Sequence, residues 1–128
     1  MFAGLRIALL LSLFAAVSIA LAWAAPSAAT RAEIVGLLDA LSVSGCRFQR
    51  NGSWYDATEA RAHLQRKYDY LLKKSQVDTT EQFIERAASR SSMSGCAYRV
   101  KCGGTEQDAS AWFELQLIRL RDSGAAAR

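Results

Sequence analysis

Residues 91–102 read Ser91-Ser92-Met93-Ser94-Gly95-Cys96-Ala97-Tyr98-Arg99-Val100-Lys101-Cys102 and contain two of the three cysteines of the chain. The first half consists of small residues, and its Ser-Gly pair can turn sharply and expose a hydroxyl. The second half is typical of a short strand, which the following Gly-Gly pair would end. We therefore predict a loop over 91–95 and a strand over about 97–102.

The N-terminal segment is the most apolar part of the chain. Arg6 precedes an almost wholly apolar run of 17 residues, and small residues follow it. A basic start, an apolar run and an Ala-x-Ala site predict a secretory signal peptide over residues 1–24, cut after Ala24, with Ala25 and Ala29 as alternative sites. The run is short for a membrane span, but a retained membrane anchor is the alternative interpretation.

The remaining residues, 25–128, are predicted to form a single exported domain. Without Arg6 they carry 15 Lys and Arg against 12 Asp and Glu, a formal charge of about +3. A mild positive charge on an exported protein fits an anionic envelope or an acidic protein partner. We expect no nucleic-acid partner, because the protein leaves the cytoplasm, and a membrane contact only if the N-terminal segment is retained.

Four stretches with apolar residues at helical spacing predict helices. Capping boxes begin the first two helices, at Thr30-x-x-Glu33 and at Asp56-x-x-Glu59, and Asp78 begins the third. The predicted helices span about 31–43, 57–74, 80–90 and 109–121.

Residues 46–55 predict a β-hairpin. Cys46 and Phe48 alternate with polar residues at the period of a strand, and Asn51-Gly52 tolerates the positive φ angles of a tight turn. The two hairpin strands and the strand near residue 100 make three. We therefore predict an α+β fold, with about four helices packed on a small three-stranded antiparallel sheet and one disulfide.

The spacing of the cysteines limits how they can pair. If residues 97–101 are extended, the Cα atoms of Cys96 and Cys102 lie about 20 Å apart, beyond the reach of a disulfide. Cys46 therefore pairs with one of the two, and the residues alone leave both pairings open. No Cys-x-x-Cys motif is present, so we interpret the disulfide as a structural link rather than a redox site.

The single histidine of the chain lies on the second predicted helix. His63, Lys67, Tyr70 and Lys74 follow each other at helical spacing and form one stripe. The stripe is either a polar boundary, in which Lys stems cover the edge of the core, or a binding surface. One His without Cys or carboxylate residues at ligand spacing predicts no metal site, and we expect no cofactor.

No motif for a catalytic site stands out in this sequence. It contains neither a Gly-x-Ser-x-Gly elbow nor a phosphate-binding glycine loop. A hydrolase would need His63 as the base, a carboxylate such as Glu85 to orient it, and a Ser or Cys nucleophile. The available nucleophiles are Ser91, Ser92, Ser94 and Cys96. Because nothing in the sequence brings these groups together, we predict a non-enzymatic protein, with a small periplasmic hydrolase as an alternative.

Four motifs, in a fixed order, resemble a family of exported bacterial proteins. They are Ser44-Gly45-Cys46-x-Phe48-x-Arg50-Asn51-Gly52-x-Trp54, Ala62-His63-Leu64-x-x-Lys67-Tyr68-x-Tyr70-Leu71, Glu81-Gln82-Phe83-Ile84-x-x-Ala87-Ala88-x-x-Ser91, and Ser94-Gly95-x-x-Tyr98-x-Val100-x-Cys102. The family is known only as domain of unknown function 5329. The resemblance implies a periplasmic protein of a Gram-negative bacterium and no known activity. It also implies a polar, non-cysteine residue in place of Cys96, which leaves Cys46 and Cys102 as the disulfide and Cys96 as a free thiol.

One of these motifs has a second resemblance. Ser94-Gly95-x-x-Tyr98 is similar to the Ser-Gly-x-x-Tyr loop of periplasmic lysozyme inhibitors, which inserts its Ser into the acidic cleft of lysozyme with the help of basic residues. The alternative is that Ser-Gly begins a strand and that Tyr98 packs in the core.

The functional expectation is a periplasmic, non-enzymatic module that binds an envelope protein. Inhibition of a lysozyme-like peptidoglycan hydrolase is an alternative. The candidate residues for partner binding are Ser91, Ser94, Gly95, Tyr98, Arg50, Arg99, His63 and Lys67.

The mature protein should begin near Ala25, because signal peptidase is expected to cut after Ala24. Mass spectrometry of the protein recovered from the periplasm should show that residues 1–24 are missing. An intact N-terminus recovered from the membrane fraction would support the retained anchor instead.

Overall fold

The computed structural model describes residues 25–126, and the predicted signal peptide lies outside the described residues. Within that range, no helix is long and apolar enough to cross a membrane. In chain order the elements are α1 (Ala28–Val43), β1 (Arg47–Arg50), β2 (Ser53–Tyr55), α2 (Ala57–Lys73), α3 (Thr80–Phe83) with a π-helical extension (Ile84–Ala88), β3 (Arg99–Cys102), β4 (Thr105–Asp108) and α4 (Ala109–Ala126).

Helix α1 begins three residues earlier than predicted. Ser27 caps it, and the hydroxyl oxygen of Ser27 accepts a hydrogen bond from the amide of Thr30 at 3.1 Å. The predicted capping box at Thr30 is therefore wrong. The carboxylate of Glu33, which was expected to reach back to the cap, instead accepts hydrogen bonds from Arg121 at 2.8 Å and from the Thr80 hydroxyl at 2.7 Å.

The start of α2 was predicted correctly, but that of α3 was not. Asp56 caps α2 by accepting a hydrogen bond from the amide of Glu59 at 2.8 Å, as predicted. Helix α3 is capped by Thr79, whose hydroxyl oxygen accepts from the amide of Gln82 at 3.1 Å, and not by Asp78. Because Asp and Thr are both good caps, residue preference alone does not distinguish two neighbours in the sequence.

Two helices differ from the prediction in their extent. The third predicted helix is α-helical only over its first four residues and continues as a π-helix, in which the Ser89 hydroxyl donates to the carbonyl of Ile84 at 2.5 Å. A π-helix adds one residue to a turn without changing the side-chain pattern enough to be recognised in sequence. Helix α4 continues to Ala126, beyond its predicted end.

The strands form one antiparallel sheet in the order β2-β1-β3-β4. Phe48 lies opposite Tyr55 on one side and Val100 on the other. The sheet thus has four strands, and the prediction of three is wrong. The missed strand β4 follows a turn in which Gly103 has a φ of 60°, where we expected only the end of a strand. Its sequence, Thr-Glu-Gln-Asp, has no apolar residue, so it shows no hydrophobic alternation.

The core lies between one face of this sheet and the helices. The sheet contributes Phe48 and Val100, which are 1% and 0% exposed, and they share a core cluster with Leu64 of α2 and Phe113 of α4. Burial of one such side chain stabilises the fold by about 1.5–3 kcal/mol. The apolar stripe predicted for α1 is buried as expected, at Ile34, Leu37, Leu38 and Leu41.

A disulfide between Cys46 and Cys102 joins the residue before β1 to the end of β3, and its two Cα atoms lie 4.4 Å apart. This confirms the pairing that the family resemblance implied. Cys96 is an exposed free thiol. The two linked cysteines are 56 residues apart in sequence, so the bond removes much of the freedom of the unfolded chain.

Replacing Cys46 and Cys102 together with Ala should lower the free energy of unfolding by about 4 kcal/mol, because the unfolded chain regains that freedom. Denaturant unfolding followed by circular dichroism measures the change. The control is Cys96→Ala, which removes an exposed thiol and should change stability by less than about 0.5 kcal/mol. Equal stability of the double variant and the parent would contradict this account.

Candidate functional site

The pairing of β1 with β3 brings two distant loops together. Because these strands are antiparallel, the turn at Asn51 that follows β1 lies beside the segment that precedes β3. That segment, Ser91–Cys96, is called the serine loop below, and an isolated bridge between Arg90 and Ala97 closes its base. Because Ala97 forms only this isolated bridge, the continuous strand β3 begins at Arg99, two residues later than predicted.

Ser91 holds the serine loop together from within. Its hydroxyl oxygen accepts hydrogen bonds from the amides of Met93 at 3.3 Å and Ser94 at 3.2 Å. The amide of Gly95 donates to the Ser91 carbonyl at 2.9 Å, and Gly95 takes a left-handed conformation with a φ of 75°. Ser91 is buried, so its hydroxyl shapes the loop instead of facing a partner.

Asn51 ties the serine loop to the β1–β2 turn. Its side-chain oxygen accepts a hydrogen bond from the Ser94 hydroxyl at 2.7 Å, and its side-chain nitrogen donates to the Ser91 hydroxyl at 3.4 Å. The Ser94 hydroxyl oxygen also accepts from the amide of Cys96 at 3.2 Å. The sequence indicated Asn51 only as a turn residue, because this second role depends on the β1–β3 pairing.

The serine loop presents an apolar side chain to solvent. Met93 is 99% exposed, more than any other large hydrophobic residue in the described part of the chain. Met93 was not among the predicted site residues. The available signal was one large apolar residue in a run of serines and glycine.

Tyr98 places a hydroxyl at the edge of the core. Its ring is 1% exposed and packs against Phe48, with ring centroids 5.1 Å apart. Its hydroxyl lies 3.1 Å from the ammonium of Lys67 and 3.2 Å from Nε2 of His63. The structure thus agrees with the alternative in which Tyr98 packs in the core, while its hydroxyl belongs to the site.

The hydrogen bonds of His63 determine which of its nitrogens carries a proton. Arg50 contacts Nδ1, and because a guanidinium only donates, Nδ1 is the acceptor. Nε2 then carries the hydrogen and donates to Tyr98. Burial, followed by the charges of Arg50, Lys67 and Arg66, lowers the pKa of His63 to about 4. The imidazole is therefore neutral at pH 7 and a weak base.

Lys67 is a partly buried cation that donates only to neutral groups. Its ammonium donates to the carbonyl of Arg90 at 2.9 Å and to the Tyr98 hydroxyl, and it lies 4.9 Å from the centre of the Tyr98 ring. Burial, followed by the charges of Arg50 and Arg90, lowers the pKa of Lys67 to about 8. We call Arg50, His63, Lys67 and Tyr98 the basic cluster.

Arg99, another predicted binding residue, lies apart from the basic cluster. It donates to Glu106 at 3.0 Å and to Asp108 at 2.6 Å, so two carboxylates of β4 offset its charge. In contrast, none of the acidic side chains within residues 25–126 forms an ion pair with Arg50 or Lys67.

Two open grooves that include Lys67 meet at the basic cluster. A groove of about 260 Å³ lies against the serine loop and reaches Arg50, Asn51 and Met93. A larger groove of about 640 Å³ runs between α2 and the π-helical extension of α3, and Lys67 lines both grooves. Of the α2 stripe, His63, Lys67 and Tyr70 line this larger groove, and Lys74 does not.

The arrangement expected of a hydrolase is not formed among residues 25–126. Both nitrogens of His63 are engaged by Arg50 and Tyr98, and no described Ser or Cys is hydrogen-bonded to them. Glu85 lines the larger groove together with His63, but no hydrogen bond joins the two residues. The same part of the chain holds no group of three or more His, Cys, Asp or Glu residues that could bind a metal ion.

Comparison with known proteins gives a family but no activity. A model of the family of unknown function DUF5329 matches residues 28–121, so the chain belongs to that family, as its motifs predicted. The uncharacterized protein YfeK of Salmonella typhimurium (strain LT2) is 38% identical over 78 residues. The aligned part is 60% of this chain and 63% of YfeK, so the chain spans less than two thirds of that relative. No solved structure matches the chain.

The free energy of unfolding should fall as the pH is lowered from 7 to 4.5, in part through His63. In the unfolded chain His63 takes up a proton near pH 6.5, but in the folded protein only near pH 4. Between these values the unfolded state binds more protons, so acid favours unfolding. His63→Gln should reduce the fall by about 1 kcal/mol, because partial exposure screens the effect. Chemical unfolding at both pH values tests this, and identical pH slopes for the two proteins would refute it.

Proposed function

We propose that this member of the DUF5329 family is a non-enzymatic protein-binding module of the bacterial periplasm, and that the serine loop contacts its partner. The observation that carries the proposal is the combination of a hydrogen-bonded loop with a fully exposed Met93. An exposed Met side chain adapts its shape to a partner and adds apolar contact area.

The rigidity of the serine loop favours binding. Its ends are joined by the amide of Ser91, which donates to the Cys96 carbonyl at 2.9 Å, and Asn51 connects its middle to the sheet. A loop that is already ordered loses little conformational entropy when it binds. A small contact centred on one apolar anchor can then carry much of the binding energy.

The charges beside the serine loop favour an acidic partner. Arg50 and Lys67 line the groove next to Met93. In the described residues, every ion pair belongs to Arg61, Arg99 or Arg121, so the charges beside the loop are available to a partner. Complementary charge raises the association rate and discriminates against basic proteins.

Inhibition of a lysozyme-like peptidoglycan hydrolase is a second candidate function. It is favoured by the exposed Ser94-Gly95 turn, which stands next to the basic cluster. In this interpretation Ser94 would exchange its hydrogen bond to Asn51 for one to a carboxylate in the cleft. Tyr98 would support the loop from the core instead of touching the hydrolase, because its ring is buried.

Met93→Asp should abolish partner binding, because it replaces the exposed anchor with a charge that repels an acidic surface. The matched control is Val43→Asp, which makes a similar change at a residue that is 84% exposed at the end of α1. The protein, as the cell produces it, is immobilised and exposed to envelope extract. Isothermal titration then measures the affinity for the captured partner. The milder Met93→Ala should weaken binding by about 1–3 kcal/mol.

The proposal is supported if one partner binds the parent and Val43→Asp but not Met93→Asp. It is wrong if that partner binds all three proteins equally. Purified lysozyme-like hydrolases, assayed with and without the protein, test the second candidate. A screen with ester, peptide and peptidoglycan substrates tests the non-enzymatic assignment, which turnover lost in His63→Ala would overturn.

A further inference from the structure

The groove between α2 and the π-helical extension of α3, called the α2–α3 groove below, has an unbalanced charge. Four basic residues line it, and the acidic residue among its lining is Glu85. The basic residues are Arg66, Lys67, Arg86 and Arg90.

The basic residues of the α2–α3 groove are not neutralised by the described part of the chain. None of the four forms an ion pair within residues 25–126, although Arg61, Arg99 and Arg121 each pair with a carboxylate. What distinguishes this groove is that four such residues line one concave surface. A groove with a persistent excess of positive charge attracts anions and concentrates them.

The ammonium of Lys67 is held at a defined position in the groove, where it can contact an anion. Its ammonium has three hydrogens, of which two are directed to the Arg90 carbonyl and the Tyr98 hydroxyl. Both acceptors are neutral, so they satisfy hydrogen bonds without offsetting the charge. A partly buried cation without a counter-charge destabilises its surroundings, and a bound anion would relieve that cost.

The α2–α3 groove also offers apolar surface. Tyr70 and Leu71 line it next to Lys67, and the Tyr70 ring is 58% exposed. The groove volume of about 640 Å³ lies in the range of small-molecule sites. A ligand that suits it therefore combines a compact oxyanion with an aromatic or aliphatic group.

We infer that the α2–α3 groove binds a small organic anion, a carboxylate or a phosphate monoester with an apolar group, whose charged end contacts the ammonium of Lys67. The site shares Lys67 with the groove at the serine loop, but Met93 does not line it, and small anions probe it without the protein partner. Its test is therefore independent of the protein partner.

The charge of Lys67 makes this binding depend on pH. The charged and titratable groups around Lys67 are Arg50 of β1, His63 and Arg66 of α2, Arg90 after the π-helix, Tyr98 before β3, and Glu85 across the groove. With a pKa of about 8 in the free protein, Lys67 loses its charge as the pH rises from 7 to 9.5. A bound anion favours the charged form, so affinity should fall over this interval.

The test is an NMR titration of the whole protein with benzoate, which stays ionised from pH 7 to 9.5. At pH 7 benzylamine is a cation of similar size and serves as the ligand control. Phenyl phosphate and inorganic phosphate show which oxyanion is preferred and whether the apolar group contributes. Lys67→Gln removes the charge, Lys67→Arg keeps it without titrating, and Lys73→Gln is a matched change at an exposed Lys on the same helix.

Benzoate or phenyl phosphate should bind saturably and shift the amide signals of Lys67, Tyr70 and Arg90, whereas benzylamine should not. Affinity should fall by about tenfold in Lys67→Gln and remain unchanged in Lys73→Gln. Lys67→Arg should bind at pH 7 and lose the weakening between pH 7 and 9.5. Thermal unfolding of each variant establishes that it is folded. Equal binding by Lys67→Gln and the parent, equal binding of benzylamine, or no saturable binding of either anion would overturn the inference.

Discussion

The disulfide between Cys46 and Cys102 is the constraint on which the site depends. It joins two segments that are 56 residues apart, at the position where β1 begins and β3 ends. This connection favours the antiparallel register in which Phe48 lies opposite Val100. Because side chains alternate across a strand, the same register directs Arg50 to the helix side, where it meets His63. A shift of the strand register by one residue would turn Arg50 to the outer face of the sheet and separate it from His63.

The two proposed surfaces meet at Lys67 and differ in chemistry. On one side the serine loop offers an exposed methionine on a rigid turn, which suits a protein surface. On the other side the α2–α3 groove combines basic residues with the face of Tyr70, which suits a small anion. Lys67 lines both grooves, so an anion bound to it would change the charge that a protein partner meets. Because both surfaces share this cation, a ligand bound at one surface would change the binding affinity of the other.

Local sequence signals predicted most elements, although they misplaced the caps of α1 and α3, and contacts between distant segments were not predictable. Asp56 caps α2 as predicted, because a cap requires only residues three positions apart. Strand β4 was missed because its polar residues follow β3 without an apolar side to bury. His63 and Lys67 were recognised as one stripe, but their contact with the Tyr98 hydroxyl depends on sheet pairing across more than 30 residues. For the same reason Asn51 was predicted only as a turn residue.

Folding partly desolvates the basic groups of the basic cluster. Burial lowers the pKa of both His63 and Lys67, which means that folding disfavours their charged forms. A purely structural boundary would place apolar or paired residues there, as the chain does at Arg121, whose two carboxylate partners offset its charge. Unpaired, partly desolvated bases that line open grooves are the arrangement expected where a ligand supplies the missing negative charge. We therefore propose that the cluster is part of a binding surface.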